Sequence, residues 1–331
     1  MFGMPMGKDK NLGKDKKKSE KKLIQQIRRS AQTGRSVVMG IGDDCAVLRI
    51  PLKHDLLVTT DFTIENVHFR RDWSPPELVG RRCLTRGLSD IAAMGGEPRA
   101  AFLSLAMDSD VPQKWVDRFL KGLLDLAEEF KVSLAGGDIA QSPRGIQADI
   151  VVVGSVPRGK AVLRSGAKPG DHIYVTGELG ASAAALALAQ DQTKRAGAKY
   201  LQNLSRPQAR IAVGQSLRQR GLASAMIDLS DGLSTDLEHI CQESLVGAEI
   251  EAEAIPRAQL GTGKKRVALD LALHGGDDYE LLFTSHATVT PQIAGVRVTR
   301  IGRILRSQGM RLIGEDGKQR PLHAAGWEHF A

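Results

Sequence analysis

The distribution of apolar positions predicts a chain in which strands and helices alternate. Short apolar runs such as Leu56–Thr60, Ala101–Met107 and Asp149–Val156 are typical of buried strands. Residues 112–130 carry apolar side chains at helical spacing, and residues 76–93 do the same behind a proline at their start. Because both halves of the chain mix the two kinds of element, the pattern predicts an α/β or α+β fold.

Glycines and prolines divide the chain near its middle. Pro157, Gly159, Gly166, Pro169 and Gly170 fall within one short segment, which is typical of a linker between folded units. A length of 331 residues fits two domains. We therefore predict an N-terminal domain over 23–157 and a C-terminal domain over 158–331.

Most of the excess positive charge lies at the N-terminus. Residues 1–22 contain eight lysines and three acidic residues, and so supply +5 of the formal net charge of +8. Few of them are apolar, so we expect residues 1–22 to form a disordered basic tail. We interpret the tail as a solvated extension rather than a nucleic-acid-binding arm, and we do not expect a nucleic-acid partner.

Location and redox state follow from what the chain lacks. No stretch approaches the ~18 consecutive apolar residues of a membrane helix, and the N-terminus has no apolar signal core. The three cysteines are widely spaced and form no CxxC pair. We expect a cytoplasmic protein without a membrane partner.

Aspartates recur beside glycines or directly after apolar strands. The positions are Asp43, Asp44, Asp61, Asp90, Asp138, Asp228, Asp231, Asp277 and Asp278. A single aspartate of this kind is usually a turn or capping residue. Converging carboxylates repel one another unless a cation lies among them, and an all-oxygen ligand set favours Mg²⁺. Their recurrence therefore indicates several magnesium ions, with a polyphosphate completing the coordination.

The common phosphate-binding motifs are missing from the sequence. It contains no GxxxxGK[ST], no GxGxxG after a strand and no HRD-type catalytic loop. Ser230-Asp231-Gly232 directly precedes a predicted helix, whose N-terminus is suited to an anion. The residues indicate magnesium-dependent handling of a nucleotide or phosphate and leave the substrate open.

Taken together, the strings around these aspartates resemble the thiamine-monophosphate kinase family of the PurM-like ATP-binding superfamily. In chain order they are GIGDDCAVL, VTTDFTIENVHF, LSDIAAMGGEP, AGGD, LRSGAKPGDHIYVTGELG, IDLSDGLSTDL, GGDDYELLFT and GWEHF, spanning about residues 24–330. The resemblance implies a PurM-like two-domain fold with mixed sheets flanked by helices, and a homodimer that pairs through its N-terminal sheets. It also implies transfer of phosphate from ATP to thiamine phosphate, giving thiamine diphosphate.

The resemblance further implies roles for residues at matching positions. Those implied to bind magnesium are Asp44, Thr59, Thr60, Asp61, Asp90, Asp138, Asp228 and Asp231. Those implied to contact ATP are Gly137, Asp138, Arg164 and Ser230. Those implied to contact thiamine phosphate are His68, Asp277 and Trp327. The acceptor phosphate is mostly dianionic at neutral pH, so we expect direct in-line transfer without a protein base.

Several positions depart from the family pattern. Asp277 stands where the family usually has Glu, Gly87 where Asn is common, and Ala181 where Asp is common. Two other functions remain open on the residues. One is another PurM-like enzyme, of the aminoimidazole ribonucleotide synthetase or selenophosphate synthetase type, and the other is a non-catalytic nucleotide- or metal-binding protein.

Overall fold

The computed structural model of the protein describes residues 20–32, 34–41, 46–190, 207–259 and 265–328. The helices in these ranges are α1 (Glu20–Ser30), α2 (Pro76–Ala93), α3 (Gln113–Glu129), α4 (Ala181–Gln190), α5 (Ile211–Gln219), α6 (Leu233–Ser244) and α7 (Leu269–His274). The strands are β1 (Val37–Met39), β2 (Val47–Leu48), β3 (His54–Ile64), β4 (Glu97–Met107), β5 (Ser133–Gln141), β6 (Ile146–Pro157), β7 (His172–Thr176), β8 (Ala225–Asp228), β9 (Gly247–Glu251), β10 (Leu281–Ser285), β11 (Gln292–Ile293), β12 (Val296–Leu305), β13 (Gly309–Ile313) and β14 (Gln319–Leu322).

The first sheet is built from the N-terminal half and has the strand order β3-β6-β4-β5. Its neighbours are antiparallel except for the parallel pair β4–β5. Helices α2 and α3 pack together at glycines, since a Cβ on Gly80 would lie 1.9 Å from the carbonyl oxygen of Phe119. Helix α2 covers one face of the sheet, where it contributes to a buried apolar cluster with β3, β4 and β6.

The opposite face of the first sheet is open. Leu56, Val58 and Phe62 alternate along β3 on this face, and they are 52%, 60% and 57% exposed. Exposed apolar side chains in a row are unusual on a monomer surface and typical of a protein interface. We call this surface the open face of the first sheet.

The second sheet is built from the C-terminal half. Its strands follow the order β14-β13-β9-β12-β7-β10-β8, and β11 pairs with β12 beside this path. Only β13 and β9 run parallel among these pairs. Helices α4, α6 and α7 contribute to the apolar cluster beside this sheet, which includes Leu237 and Leu273.

Helix α2 lies at the junction of the two halves. Helix α5 packs directly on it, since a Cβ on Gly214 would lie 2.0 Å from the carbonyl oxygen of Ala92. Arg218 Nε donates to the carbonyl oxygen of Gly95 at 2.7 Å. Side chains from both halves, among them Leu88 and Phe283, belong to one apolar cluster. Residues of α2 can therefore face a site formed by either half.

The predicted mixture of strands and helices is confirmed, and the two long predicted helices appear as α2 and α3. The predicted tail is too long at its C-terminal end, because α1 begins at Glu20 and includes residues 20–22. Leu23 and Ile27 are buried, and a helix that buries Leu23 needs the turn before it. Residues 1–19 lie outside the described ranges. The domain division at 157/158 stays a prediction. None of the helices in the described part of the chain has the length and apolar character needed to cross a membrane.

Candidate active site

Two aspartates of the N-terminal half meet where β3 faces α2. Side chains alternate along a strand, so Thr59 and Asp61 both point to α2. Thr59 Oγ1 donates a hydrogen bond to Asp90 Oδ2. Burial raises the pKa of Asp61 to about 6, with the charge of Arg86 opposing the rise and that of Asp90 adding to it. Burial likewise raises the pKa of Asp90.

Three aspartates of the C-terminal half continue this group. Asp228 ends β8 and is buried, and burial together with the charge of Asp90 raises its pKa to about 7. Asp236, in the first turn of α6, accepts the backbone N–H of Asp231 at 3.2 Å and that of Gly232 at 3.1 Å. Burial, then the charges of Asp228 and Asp231, raise the pKa of Asp236 to about 8. Asp61, Asp90, Asp228, Asp231 and Asp236 form what we call the carboxylate cluster.

The arginines beside the carboxylate cluster do not offset the burial of its members, since the pKa values of Asp61, Asp90 and Asp228 remain raised despite the charges of Arg86 and Arg164. Desolvated carboxylates that raise one another's pKa values resist ionisation until a cation binds. Oxygen ligands favour a hard divalent ion such as Mg²⁺. At the α6 end, single ligand atoms of Asp231, Asp236 and His239 lie within 4.8 Å of one another. The donor set therefore fits divalent cations.

A second group lies beside the cluster, at the turn before β10. The backbone N–H of Asp277 donates to the carbonyl oxygen of Ser230 at 2.8 Å. Asp277 Oδ1 accepts hydrogen bonds from Arg86 Nη2 at 3.0 Å and from the Tyr279 hydroxyl at 2.7 Å. Burial alone raises the pKa of Asp277, but the charges of Arg86 and then Arg82 hold it below its ordinary value. The same carboxylate is influenced by the charge of His68, so His68 belongs to this side of the site.

The C-terminal segment reaches the same place. The backbone N–H of Trp327 donates to the carbonyl oxygen of Asp231 at 3.0 Å, and that of Gly326 donates to Thr235 Oγ1 at 3.0 Å. A Cβ on Gly326 would lie 2.1 Å from that carbonyl oxygen, so the close approach requires glycine. Trp327 is 51% exposed and lies beside the carboxylate cluster.

Two of the predicted site residues, Thr60 and Asp138, lie on the open face of the first sheet. Thr60 points to the open face, where its Oγ1 donates to Asp149 Oδ1 at 2.6 Å. Asp138 occupies the same row of the sheet as Asp149 and is exposed. Gly137 beside it has φ 147°, and a Cβ there would lie 1.9 Å from the carbonyl oxygen of Leu103. Within this chain, Thr60 and Asp138 are thus separated from Asp61 by the sheet.

The remaining predicted site residues are Arg164, Ser230 and Asp44. Arg164 is exposed, yet its charge opposes the rise in the pKa values of both Asp90 and Asp228, so it lies at the edge of the carboxylate cluster. Ser230 belongs to the loop between Asp228 and α6. Asp44, with Asp43, lies outside the described residues.

Sequence reasoning missed Arg86, Asp236, His239 and Tyr279. Arg86 precedes Asp90 by one helical turn, a spacing that places the two on the same face of α2. Asp236 and His239 are three positions apart on α6, a spacing that also places two side chains on the same face of a helix. These signals are visible only after the neighbouring aspartate has been assigned to the site.

Two family models define the class of protein. Residues 42–156 match the model "AIR synthase related protein, N-terminal domain", and residues 168–313 match "AIR synthase related protein, C-terminal domain". This arrangement of two related α/β domains is the PurM-like fold, which confirms the predicted fold class.

Individual relatives narrow the class. The chain is 41% identical over 309 residues to the thiamine-monophosphate kinase of Escherichia coli (strain K12), covering 89% of this chain and 93% of that one. It is similar to the crystal structure of thiamine-monophosphate kinase from Stenotrophomonas maltophilia K279a, with TM-score 0.76, 34% identity, and coverage of 89% and 96%. It is also similar to a structure described as "AaThiL complexed with AMPPCP and TMP", with TM-score 0.74, 34% identity, and coverage of 93% and 95%. The chain belongs to the thiamine-monophosphate kinase family, as the sequence motifs predict.

Proposed function

We propose that the protein transfers the terminal phosphoryl group of ATP to thiamine phosphate, giving ADP and thiamine diphosphate. The observation that carries this proposal is the carboxylate cluster, whose buried carboxylates are suited to binding cations. The group around Asp277 lies directly beside it. The proposal is supported by the named activity of the relatives and by the structure that holds AMPPCP, an ATP analogue, together with TMP. Two neighbouring groups of this kind suit a reaction between two phosphates.

The carboxylate cluster would hold the magnesium ions. Asp61, Asp90, Asp228 and Asp231 supply carboxylate oxygens, and Thr59 adds a hydroxyl that already contacts Asp90. Bound magnesium would screen the repulsion between the donor and acceptor phosphates and stabilise the charge of the transition state. Arg164, at the edge of the cluster, would then contact the nucleotide phosphates through its guanidinium.

The acceptor needs no general base. A phosphate monoester has a second pKa near ~6, so its oxygen is already a nucleophile at neutral pH. We therefore infer direct in-line transfer, in which one new P–O bond forms as the bond to ADP breaks. Transfer of a chiral thiophosphoryl group should invert the configuration at phosphorus. Net retention would instead indicate a phosphorylated enzyme.

We further propose that the protein is a homodimer that pairs through the open face of the first sheet. The exposed apolar row of β3 supports this pairing, and so does the position of Thr60 and Asp138 on the same face. In such a dimer, Asp138 acts at the site of the partner subunit. Mixing the inactive variants Asp61→Asn and Asp138→Asn should then restore roughly a quarter of the sites. No recovery in mixed dimers would place Asp138 in its own subunit's site, and full activity of Asp138→Asn alone would place it outside the site.

The activity is tested by ADP release in a coupled assay. ADP formation should require thiamine phosphate and Mg²⁺ together and should stop on addition of EDTA. Asp231→Asn should abolish it and leave the circular dichroism spectrum unchanged. If ATP binds but thiamine phosphate does not stimulate ADP release, the protein is a nucleotide-binding protein or another PurM-like enzyme.

A further inference from the structure

Arg86 occupies the boundary between the carboxylate cluster and the group around Asp277. Its side chain is only 11% exposed, and its guanidinium lies 5.8 Å from the centre of the Tyr279 ring. Nη2 contacts Asp277 Oδ1 at 3.0 Å, whereas Nη1 is 3.5 Å from Asp61 Oδ1. One guanidinium therefore bridges a proposed magnesium ligand and a proposed substrate residue.

Two N–H groups of the Arg86 guanidinium, at Nε and Nη1, lack a good acceptor among the described residues. Nε is buried and finds no hydrogen-bond partner among the residues that the structure describes. The Nη1 contact with Asp61 is long for a hydrogen bond. Buried donors without good acceptors are costly, so a ligand that supplies oxygen atoms here would be favoured.

A magnesium ion at Asp61 would change what Arg86 contacts. Asp61, holding magnesium, would attract Nη1 less strongly, and the phosphates bound there would offer Arg86 new anionic oxygens. The planar fork of an arginine matches two phosphate oxygens at once. Arg86 lies between the proposed magnesium ligand Asp61 and the proposed substrate residue Asp277, which the charge of His68 also reaches.

Two departures from the family pattern border this guanidinium. A Cβ on Gly87 would lie 2.5 Å from Val152 Cγ2, so α2 lies too close to β6 for the asparagine that is common there. Asp277 is one methylene shorter than the usual glutamate, and its Oδ1 is engaged by both Arg86 and Tyr279. The shorter side chain at position 277 is explained if Asp277 holds the arginine in place rather than reaching the substrate itself.

We propose that Arg86 binds the phosphate of the acceptor substrate, and that Asp277 is a positioning residue for its guanidinium. The inference rests on the proposed function and names the group that recognises the acceptor's phosphate. Arg86 only donates hydrogen bonds, and no bond to it forms or breaks during the transfer.

The test compares Arg86→Gln and Arg86→Lys with wild type in calorimetric binding of thiamine phosphate and of AMPPCP with Mg²⁺. Arg86→Gln should weaken thiamine phosphate binding about 10- to 100-fold, because charge-assisted hydrogen bonds are lost, and should change AMPPCP binding less than about threefold. Arg86→Lys keeps the positive charge but not the planar guanidinium, so its affinity for thiamine phosphate should lie between those of wild type and Arg86→Gln. Arg81→Gln is the matched control, because it removes the 2.9 Å contact with Glu129 from the same helix.

Asp277→Asn separates positioning from direct contact. If Asp277 acts through Arg86, adding Asp277→Asn to Arg86→Gln should cause no further loss of thiamine phosphate affinity. Additive losses would overturn the positioning role of Asp277. Unchanged thiamine phosphate affinity in both Arg86 variants, or an equal loss of AMPPCP, would overturn the role of Arg86. If wild type itself neither binds thiamine phosphate nor releases ADP with it, the proposed function fails instead.

Discussion

Asp228→Asn should stabilise the metal-free protein while abolishing its activity. The Asp228 side chain is buried at the end of β8, next to the charge of Asp90. Asparagine has nearly the same shape and carries no charge. Replacing the carboxylate therefore removes a repulsion that the folded protein tolerates without metal, but it also removes a proposed magnesium ligand.

The magnitude follows from the pKa shift. The pKa of Asp228 is raised from 3.8 to about 7, first by burial and then by Asp90. Below about pH 4 the carboxyl is protonated in both the folded and unfolded protein, so it costs nothing. Between about pH 4 and 7 only the unfolded chain loses the proton, and stability falls as the pH rises. The total loss is about 4 kcal/mol at 1.36 kcal/mol per pKa unit, and it levels off above about pH 7.

The assay is urea unfolding in EDTA at pH 5 and pH 8, followed by circular dichroism. The free energy of unfolding of Asp228→Asn minus that of wild type should increase by about 3 kcal/mol from pH 5 to pH 8. When EDTA is replaced by Mg²⁺, wild type should be stabilised more than the variant, so the difference between their free energies of unfolding should become smaller. Asp171→Asn is the control, because Asp171 is equally buried but accepts a 2.6 Å hydrogen bond from Ser224 Oγ, away from the cluster. An Asp228→Asn protein less stable than wild type at pH 8 without metal would refute the reasoning.

Three further changes test the site and its scaffold. Asp61→Asn should lower kcat at least about 100-fold through loss of magnesium-borne charge stabilisation, whereas Asp55→Asn on the same strand should not; equal activities would remove Asp61 from the site. Gly214→Ala should cost about 1–3 kcal/mol in urea unfolding, because its Cβ would lie 2.0 Å from a backbone oxygen of α2; an unchanged midpoint would mean that α5 shifts freely. Val58→Asp on the open face should convert a dimer into monomers in sedimentation; an unchanged mass would argue against pairing there.

The sequence predicts the long elements of this fold, such as α2, α3, β4 and β6, because their apolar residues follow a clear local period, but it does not predict short elements such as α7, β13 and β14. It picks out four members of the carboxylate cluster, Asp61, Asp90, Asp228 and Asp231, but it also includes Asp138, which lies on the open face, and omits Asp236. It cannot tell on which side of a sheet adjacent residues act. Thr59, Thr60 and Asp61 match the family as one run, but alternation sends the middle residue to the open face. A motif match assigns adjacent residues to one site, whereas the pleat of a strand directs their side chains to opposite faces of the sheet.

The residues that sequence reasoning missed are those whose role depends on long-range contacts. Arg86 and Asp277 are 191 positions apart, so no local pattern links them. Tyr279 shows a related limit. It is almost fully buried and has φ 52°, and Asp277 has φ 63°, both unusual for residues other than glycine. Such a backbone persists only where surrounding contacts hold it, here through the Tyr279 hydroxyl and the guanidinium of Arg86.

Because α2 lies at the junction, the candidate active site is formed by both halves together. Asp90 and Arg86 on this helix meet Asp228 and Asp277, which belong to the other half. Helix α5 holds the halves together through backbone contacts on α2, so a displacement there moves two carboxylates away from their partners at once. For this reason Gly214→Ala should also raise the magnesium concentration needed for half-maximal activity. A purely local packing defect would lower stability but leave the magnesium concentration for half-maximal activity unchanged. The two outcomes therefore distinguish a site shared by both halves from one that each half forms alone.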